Sequence, residues 1–133
     1  MALSSTATND TKRKQAGAIV VSWSGAVPGR EVKLLDVFGR ALEYGEQLRK
    51  AGRVDAVNIF VTKIGPYRDT LMVLGCLDEL MAVVVGDEFQ GFLLEGTIVV
   101  QNLSVSVWEG GSADWAVGGL DPYMEKLKQH GLL

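Results

Sequence analysis

The stretch Val54-Asp55-Ala56-Val57-Asn58-Ile59-Phe60-Val61-Thr62-Lys63 alternates strictly. Val57, Ile59 and Val61 fall on one side, and Ala56, Asn58, Phe60 and Thr62 on the other, which is the two-residue period of a β-strand. Gly65-Pro66-Tyr67-Arg68-Asp69 then breaks the run, and Thr70 to Cys76 resumes it. Glycine and proline at a break between two β-rich runs predict an antiparallel hairpin with a loop of about five to six residues.

Helical patterns flank this hairpin. Upstream, from Arg30 to Lys50, Leu34, Phe38, Ala41, Leu42, Gly45 and Leu48 recur at spacings of three and four. Asp36 with Arg40 and Glu46 with Lys50 are acid-to-base pairs four apart on the opposite side. Gly52 is placed to end this helix in a left-handed conformation, and Gly39 and Gly45 suit close packing on a sheet. Downstream, Asp78 is positioned to cap a helix over residues 79–85, and Asp87 a second piece over residues 88–95. Thr97 to Val100 is too short a run for its period to type it.

Two further strands complete the pattern. Ala18-Ile19-Val20-Val21-Ser22-Trp23, bounded by Gly17 and by Gly25, Pro28 and Gly29, reads as the first. Leu103 to Glu109 alternates Leu103, Val105 and Val107 against Ser104, Ser106 and Trp108, and reads as the last. The order strand, helix, strand, strand, helix, strand is the ferredoxin-like βαββαβ arrangement: an α+β fold with an antiparallel sheet and both helices on one face. The domain spans residues 16–110. Residues 111–133 read as a linker and a C-terminal helix that opens at Asp121-Pro122 and closes at Gly131. Residues 1–15 hold serine, threonine and asparagine, the triplet Lys12-Arg13-Lys14 and almost no apolar surface, which is the composition of a disordered tail.

Composition narrows the function by exclusion. The 133 residues carry 13 Lys+Arg and 16 Asp+Glu, a net charge of −3, and no basic stripe runs through the body. Nucleic acid and anionic membranes are therefore not the expected partners. A single cysteine, Cys76, rules out an internal disulfide and fits a reducing, cytoplasmic compartment. The one histidine, His130, lies in the last turn of the tail helix, where a cation opposes the helix dipole. No metal or cofactor site and no catalytic group emerges from any spacing, and no strand supplies a base to activate a serine.

The sheet face turned away from the helices is the remaining signal. It should carry Ser22, Asn58, Phe60, Met72, Ser104, Ser106 and Trp108, a mixture of hydroxyls, an amide, a methionine and aromatics without the lysines and glutamates of a solvated face. Such a face predicts closure over a shared cavity by a second copy of the chain. These seven residues are the candidate cavity lining, and Arg68 at the hairpin tip is placed to reach over its mouth.

With this element order, the loop Pro28-Gly29-Arg30-Glu31 and the segment Asp87-Glu88-Phe89-Gln90, the chain resembles the dimeric α/β-barrel superfamily over about Ala18 to Glu109. The resemblance implies a ferredoxin-like domain paired face to face as a homodimer. That superfamily includes cofactor-free monooxygenases, haem-degrading enzymes and isomerases that share a fold and no single chemistry. The expected function is a small-molecule-binding or interaction module without an assignable catalytic group. The alternative is a cofactor-free monooxygenase or isomerase acting on a small apolar substrate, with Asn58 and Trp108 as positioning groups.

Overall fold

The computed structural model describes residues 16–111 and 113–133. The sequence-predicted tail, residues 1–15, lies outside the described residues. In chain order the elements are β1 (Ala16–Trp23), β2 (Gly25–Ala26), α1 (Glu31–Lys50), β3 (Ala56–Val61), β4 (Asp69–Cys76), α2 (Leu77–Val85), α3 (Asp87–Val99), β5 (Val100–Gln101), β6 (Ser104–Glu109) and α4 (Ala113–Gln129). The main sheet has the order β3-β4-β1-β6 with every neighbouring pair antiparallel. The fold is thus α+β, with helices α1 to α3 packed on one face of the sheet.

Period-two alternation sorts the strand residues as expected. Ile19 pairs with Val73 and Val107, and Val21 with Leu71 and Val105, all turned toward the helices. Ile19, Leu80 and Val99 are the most deeply buried side chains, and Val37, Leu48, Val83 and Phe89 close the core from the helix side. Ile59 and Val61 share the helix-facing side but are exposed, because they lie on the far half of the edge strand β3, which the helices do not cover. Gly45 of α1 meets β3 closer in, where a methyl group on its Cα would lie only 3.1 Å from Val57 Cγ2. Gly39, by contrast, faces open space, so only one of the two helix glycines serves close packing.

Several boundaries differ from the sequence reading. Asp78 lies inside the first turn of α2, whose N-cap is Cys76, and Asp87 inside the first turn of α3, whose N-cap is Gly86. Both carboxylates favour the helix N-terminus through its dipole without bonding a cap N–H. Thr97 to Val99 continue α3, and Val100 enters a two-residue ladder with Gly25 and Ala26 that ties the end of α3 to the start of α1. Glu46 pairs with Arg49 rather than Lys50. The largest departure is α4, which begins at Ala113 and carries Pro122 in its interior. Proline removes one backbone bond, while Val117, Leu120, Met124 and Leu127 keep one apolar period running across it. Gly52 (φ 75°) and Gly131 (φ 70°) are left-handed where the helices end, as their positions predicted.

Candidate functional site

Strand register arranges the uncovered sheet face as three rows of four. The first row reads Phe60, Thr70, Ser22, Ser104; the second Asn58, Met72, Val20, Ser106; the third Ala56, Leu74, Ala18, Trp108. All seven sequence-predicted residues therefore share one face. Ser22, Ser104 and Phe60 lie in one row, Asn58, Met72 and Ser106 in the next, and Trp108 beyond them. Polarity falls along the strands, from a hydroxyl-rich row to an apolar one about 13 Å away, four residues at ~3.3 Å each. Phe60 and Trp108 are 53% and 61% exposed in the single chain. The Trp108 indole nitrogen donates to Ser106 Oγ at 2.7 Å, which fixes the ring across its own strand.

The polar end of this face is held by Arg68. Its Nη2 donates to Ser22 Oγ and to the Asn102 carbonyl, both at 3.0 Å. Asn102 sits in the left-handed region (φ 56°), a conformation asparagine tolerates better than most residues, and its Nδ2 donates to Ser24 Oγ at 3.1 Å.

Behind the sheet lies a second feature. A chamber of about 90 Å³ opens between the sheet and helices α1 and α3, bounded by Ile19, Val21 and Trp23 from β1, Leu34, Phe38 and Tyr44 from α1, and Phe92 and Leu93 from α3. None of the seven open-face residues lines it. Its wall is almost wholly apolar, and two of the residues that bound it carry a polar group. The Trp23 indole N–H is buried with no acceptor among the described residues, on a side chain that is stacked edge-on against Phe38 at 5.8 Å. The Tyr44 phenol is pushed above its ordinary range, first by burial and then by the charge of Glu88, with Arg53 opposing. Tyr44 packs on Phe92 at 5.6 Å, and Arg40 covers the outer side of Phe92 while bonding Asp36 and Glu95. The α1–α3 seam above the chamber is thus closed by an aromatic pair and an ionic clasp.

Comparisons with solved structures agree on the architecture. A dimeric ferredoxin-like protein of unknown function from Bacteroides fragilis superimposes with a TM-score of 0.51 at 13% identity, covering 71% of this chain and 96% of its own. Candidate antibiotic biosynthesis monooxygenases from Deinococcus radiodurans and Bacteroides thetaiotaomicron give TM-scores of 0.56 and 0.54. Their identities are 10% and 11%, they cover 73% and 76% of this chain, and 94% and 92% of their own chains are matched. The chain has a ferredoxin-like fold. No family profile and no curated protein matches the sequence.

Within this ferredoxin-like frame, sequence reasoning found the open face and missed the chamber. The chamber leaves no signal in the sequence: Ser22 and Ser24 flank Trp23 with hydroxyl acceptors, so an unpaired indole N–H is not foreseeable from the chain. Among the described residues no group of three His, Cys, Asp or Glu side chains could hold a metal ion. His130 is exposed just past the last residue of α4 and does not line the chamber. No helix of the described residues is long and apolar enough to cross a membrane.

Proposed function

We propose that the protein is a homodimeric module that binds a small, largely apolar molecule in the chamber behind the sheet, with the open sheet face as the dimer seam. The observation that carries the reading is the chamber itself, an apolar space bounded by Ile19, Val21, Trp23, Phe38 and Phe92. Trp23, which bounds it, holds an indole N–H shut off from solvent and without an acceptor among the described residues, at a cost of about 1 to 3 kcal/mol; a ligand carrying one carbonyl or hydroxyl oxygen recovers it once the indole turns into the space. At about 90 Å³ the space suits a single ring or short branched chain; anything larger requires α1 and α3 to part.

The seam is formed by Ser22, Asn58, Phe60, Met72, Ser104, Ser106 and Trp108. Two exposed aromatics on a face whose strand residues are all uncharged suit burial against an identical face better than contact with water. A dimeric protein of the same fold supports this reading. The low cysteine content suits a cytoplasmic setting.

A second reading is cofactor-free oxygenation or isomerisation of a small apolar substrate in the same chamber. The two candidate monooxygenases of this fold favour it. In that case Trp23 Nε1 orients the substrate oxygen while the apolar wall keeps water from the reacting carbon.

Thermal-shift titration with benzene, indole, phenol and cyclohexanone tests the reading. At a hundredfold excess over Kd, binding to the folded state adds about 2.7 kcal/mol of stability. Ala41 lines the chamber, so Ala41→Phe should abolish the shift while leaving the protein folded. Trp23→Phe should weaken the oxygen-bearing probes and spare benzene. No shift with any probe, or shifts untouched by both variants, would remove the chamber as the site.

A further inference from the structure

We propose that the open sheet face carries a second binding site, for a carboxylate with an apolar body, anchored by Arg68. The site is separate from the chamber. It rests on the homodimer reading in one respect only, namely that a second copy of the same face supplies the other wall.

An arginine at a hairpin tip normally samples many rotamers, but Arg68 is pinned at both ends. Thr62 Oγ1 accepts from the Arg68 amide at 3.0 Å and donates to the Arg68 carbonyl at 2.8 Å, and the Thr62 amide reaches that carbonyl at 3.2 Å. At the other end Ser22 and Asn102 hold Nη2, so the half-buried guanidinium lies over the first row of the face. A guanidinium has five N–H donors and keeps its charge at any physiological pH. Those on Nε and Nη1 find no acceptor among the described residues. Arg40, Arg49 and Arg53 each meet a carboxylate. Arg68 meets none among the described residues.

The twelve residues of the face include no acid, so an identical face laid against it brings no counter-charge to Arg68. A fixed, half-buried cation among the hydroxyls of Ser22, Thr70 and Ser104 therefore selects an anionic head that does not come from the sheet. Charge-assisted bonds to a carboxylate are the strong interactions such a group makes. Because polarity falls from this row to Leu74 and Trp108 about 13 Å away, the matching ligand continues from its carboxylate into an apolar chain of about that length. Preorganisation by these contacts keeps the ordering cost of binding low.

Calorimetric titration of the full-length protein with decanoate and with decanol, paired with sedimentation of each sample, tests the proposal. Decanoate should bind at least tenfold more tightly than decanol. Arg68→Met, which keeps an apolar stem, should erase that preference without changing the dimer. Ala41→Phe, which fills the chamber, should leave decanoate binding intact. Equal affinity for the two probes, no binding of either, or decanoate binding indifferent to Arg68→Met would overturn the proposal. Dissociation of the dimer by Arg68→Met would also overturn it, by assigning Arg68 to the subunit contact. A monomeric wild-type protein that still binds decanoate through Arg68 would contradict the homodimer reading and leave the anchor standing.

Discussion

Adding one methyl group should stabilise the protein at one position of α1 and fail to do so at another. Gly39 and Gly45 lie six residues apart in α1, and each loses about 1 kcal/mol of helix propensity relative to alanine. At Gly39 a new Cβ meets nothing within 4 Å, so Gly39→Ala should gain most of that amount and raise Tm by about 3 to 6 °C. At Gly45 the new Cβ would lie 3.1 and 3.3 Å from the two methyls of Val57, inside the 3.5 to 4.0 Å optimum for carbon contacts. Val57 cannot rotate away easily, because its side chain is β-branched and its backbone is paired to Val73 in the adjacent strand. Overpacking of this kind costs about 1 to 3 kcal/mol, so Gly45→Ala should be between neutral and about 2 kcal/mol destabilising. The two variants should therefore differ by about 1 to 3 kcal/mol in urea denaturation followed by circular dichroism at fixed protein concentration. If Gly45→Ala stabilises as much as Gly39→Ala, α1 does not press on β3 as described, and the dimensions of the chamber beside Gly45 are wrong with it.

Other consequences are open to simpler tests. Trp108→Glu puts a charge at the apolar end of the open face and should shift the protein toward monomer in sedimentation equilibrium; an unchanged dimer would move the interface elsewhere. The Tyr44 phenol has its pKa raised in the folded state, so its contribution to stability is complete below the ordinary tyrosine value of about 10 and is lost as pH rises past it. The urea midpoint should accordingly fall more steeply above pH 10 in the wild type than in Tyr44→Phe; parallel curves would show that Tyr44 ionises freely. His130→Ala should leave the binding of any chamber ligand within about threefold, since the ring sits at the exposed end of α4, and a larger loss would place the site near that helix.

The sequence resolved what depends on period and failed where function depends on depth. Alternation along Ala18–Trp23, Val54–Lys63 and Leu103–Glu109 sorted side chains to the correct faces, because successive strand residues point to opposite sides whatever packs on them. The same logic could not foresee that Ile59 and Val61 would be uncovered, since that depends on how far the helices reach over an edge strand. The start of α4 was obscured by Asp121-Pro122, a strong opening signal that here falls within a helix already begun. The chamber arises where side chains of β1, α1 and α3 fail to fill the space between layers, and no local pattern encodes a gap. Arg68 and Asn102 are 34 residues apart in the chain and meet only because β4 and β6 both flank β1.

The space between α1, α3 and the sheet should accept a small apolar molecule. Crystals of the protein pressurised with xenon test it directly, since xenon enters dry apolar cavities and is seen by its anomalous scattering. A xenon atom should appear bounded by Ile19, Val21, Phe38 and Phe92 in each subunit, and be absent in Ala41→Phe. Xenon found only on the open sheet face, or a chamber closed by collapse of Trp23 and Phe38 into it, would contradict it.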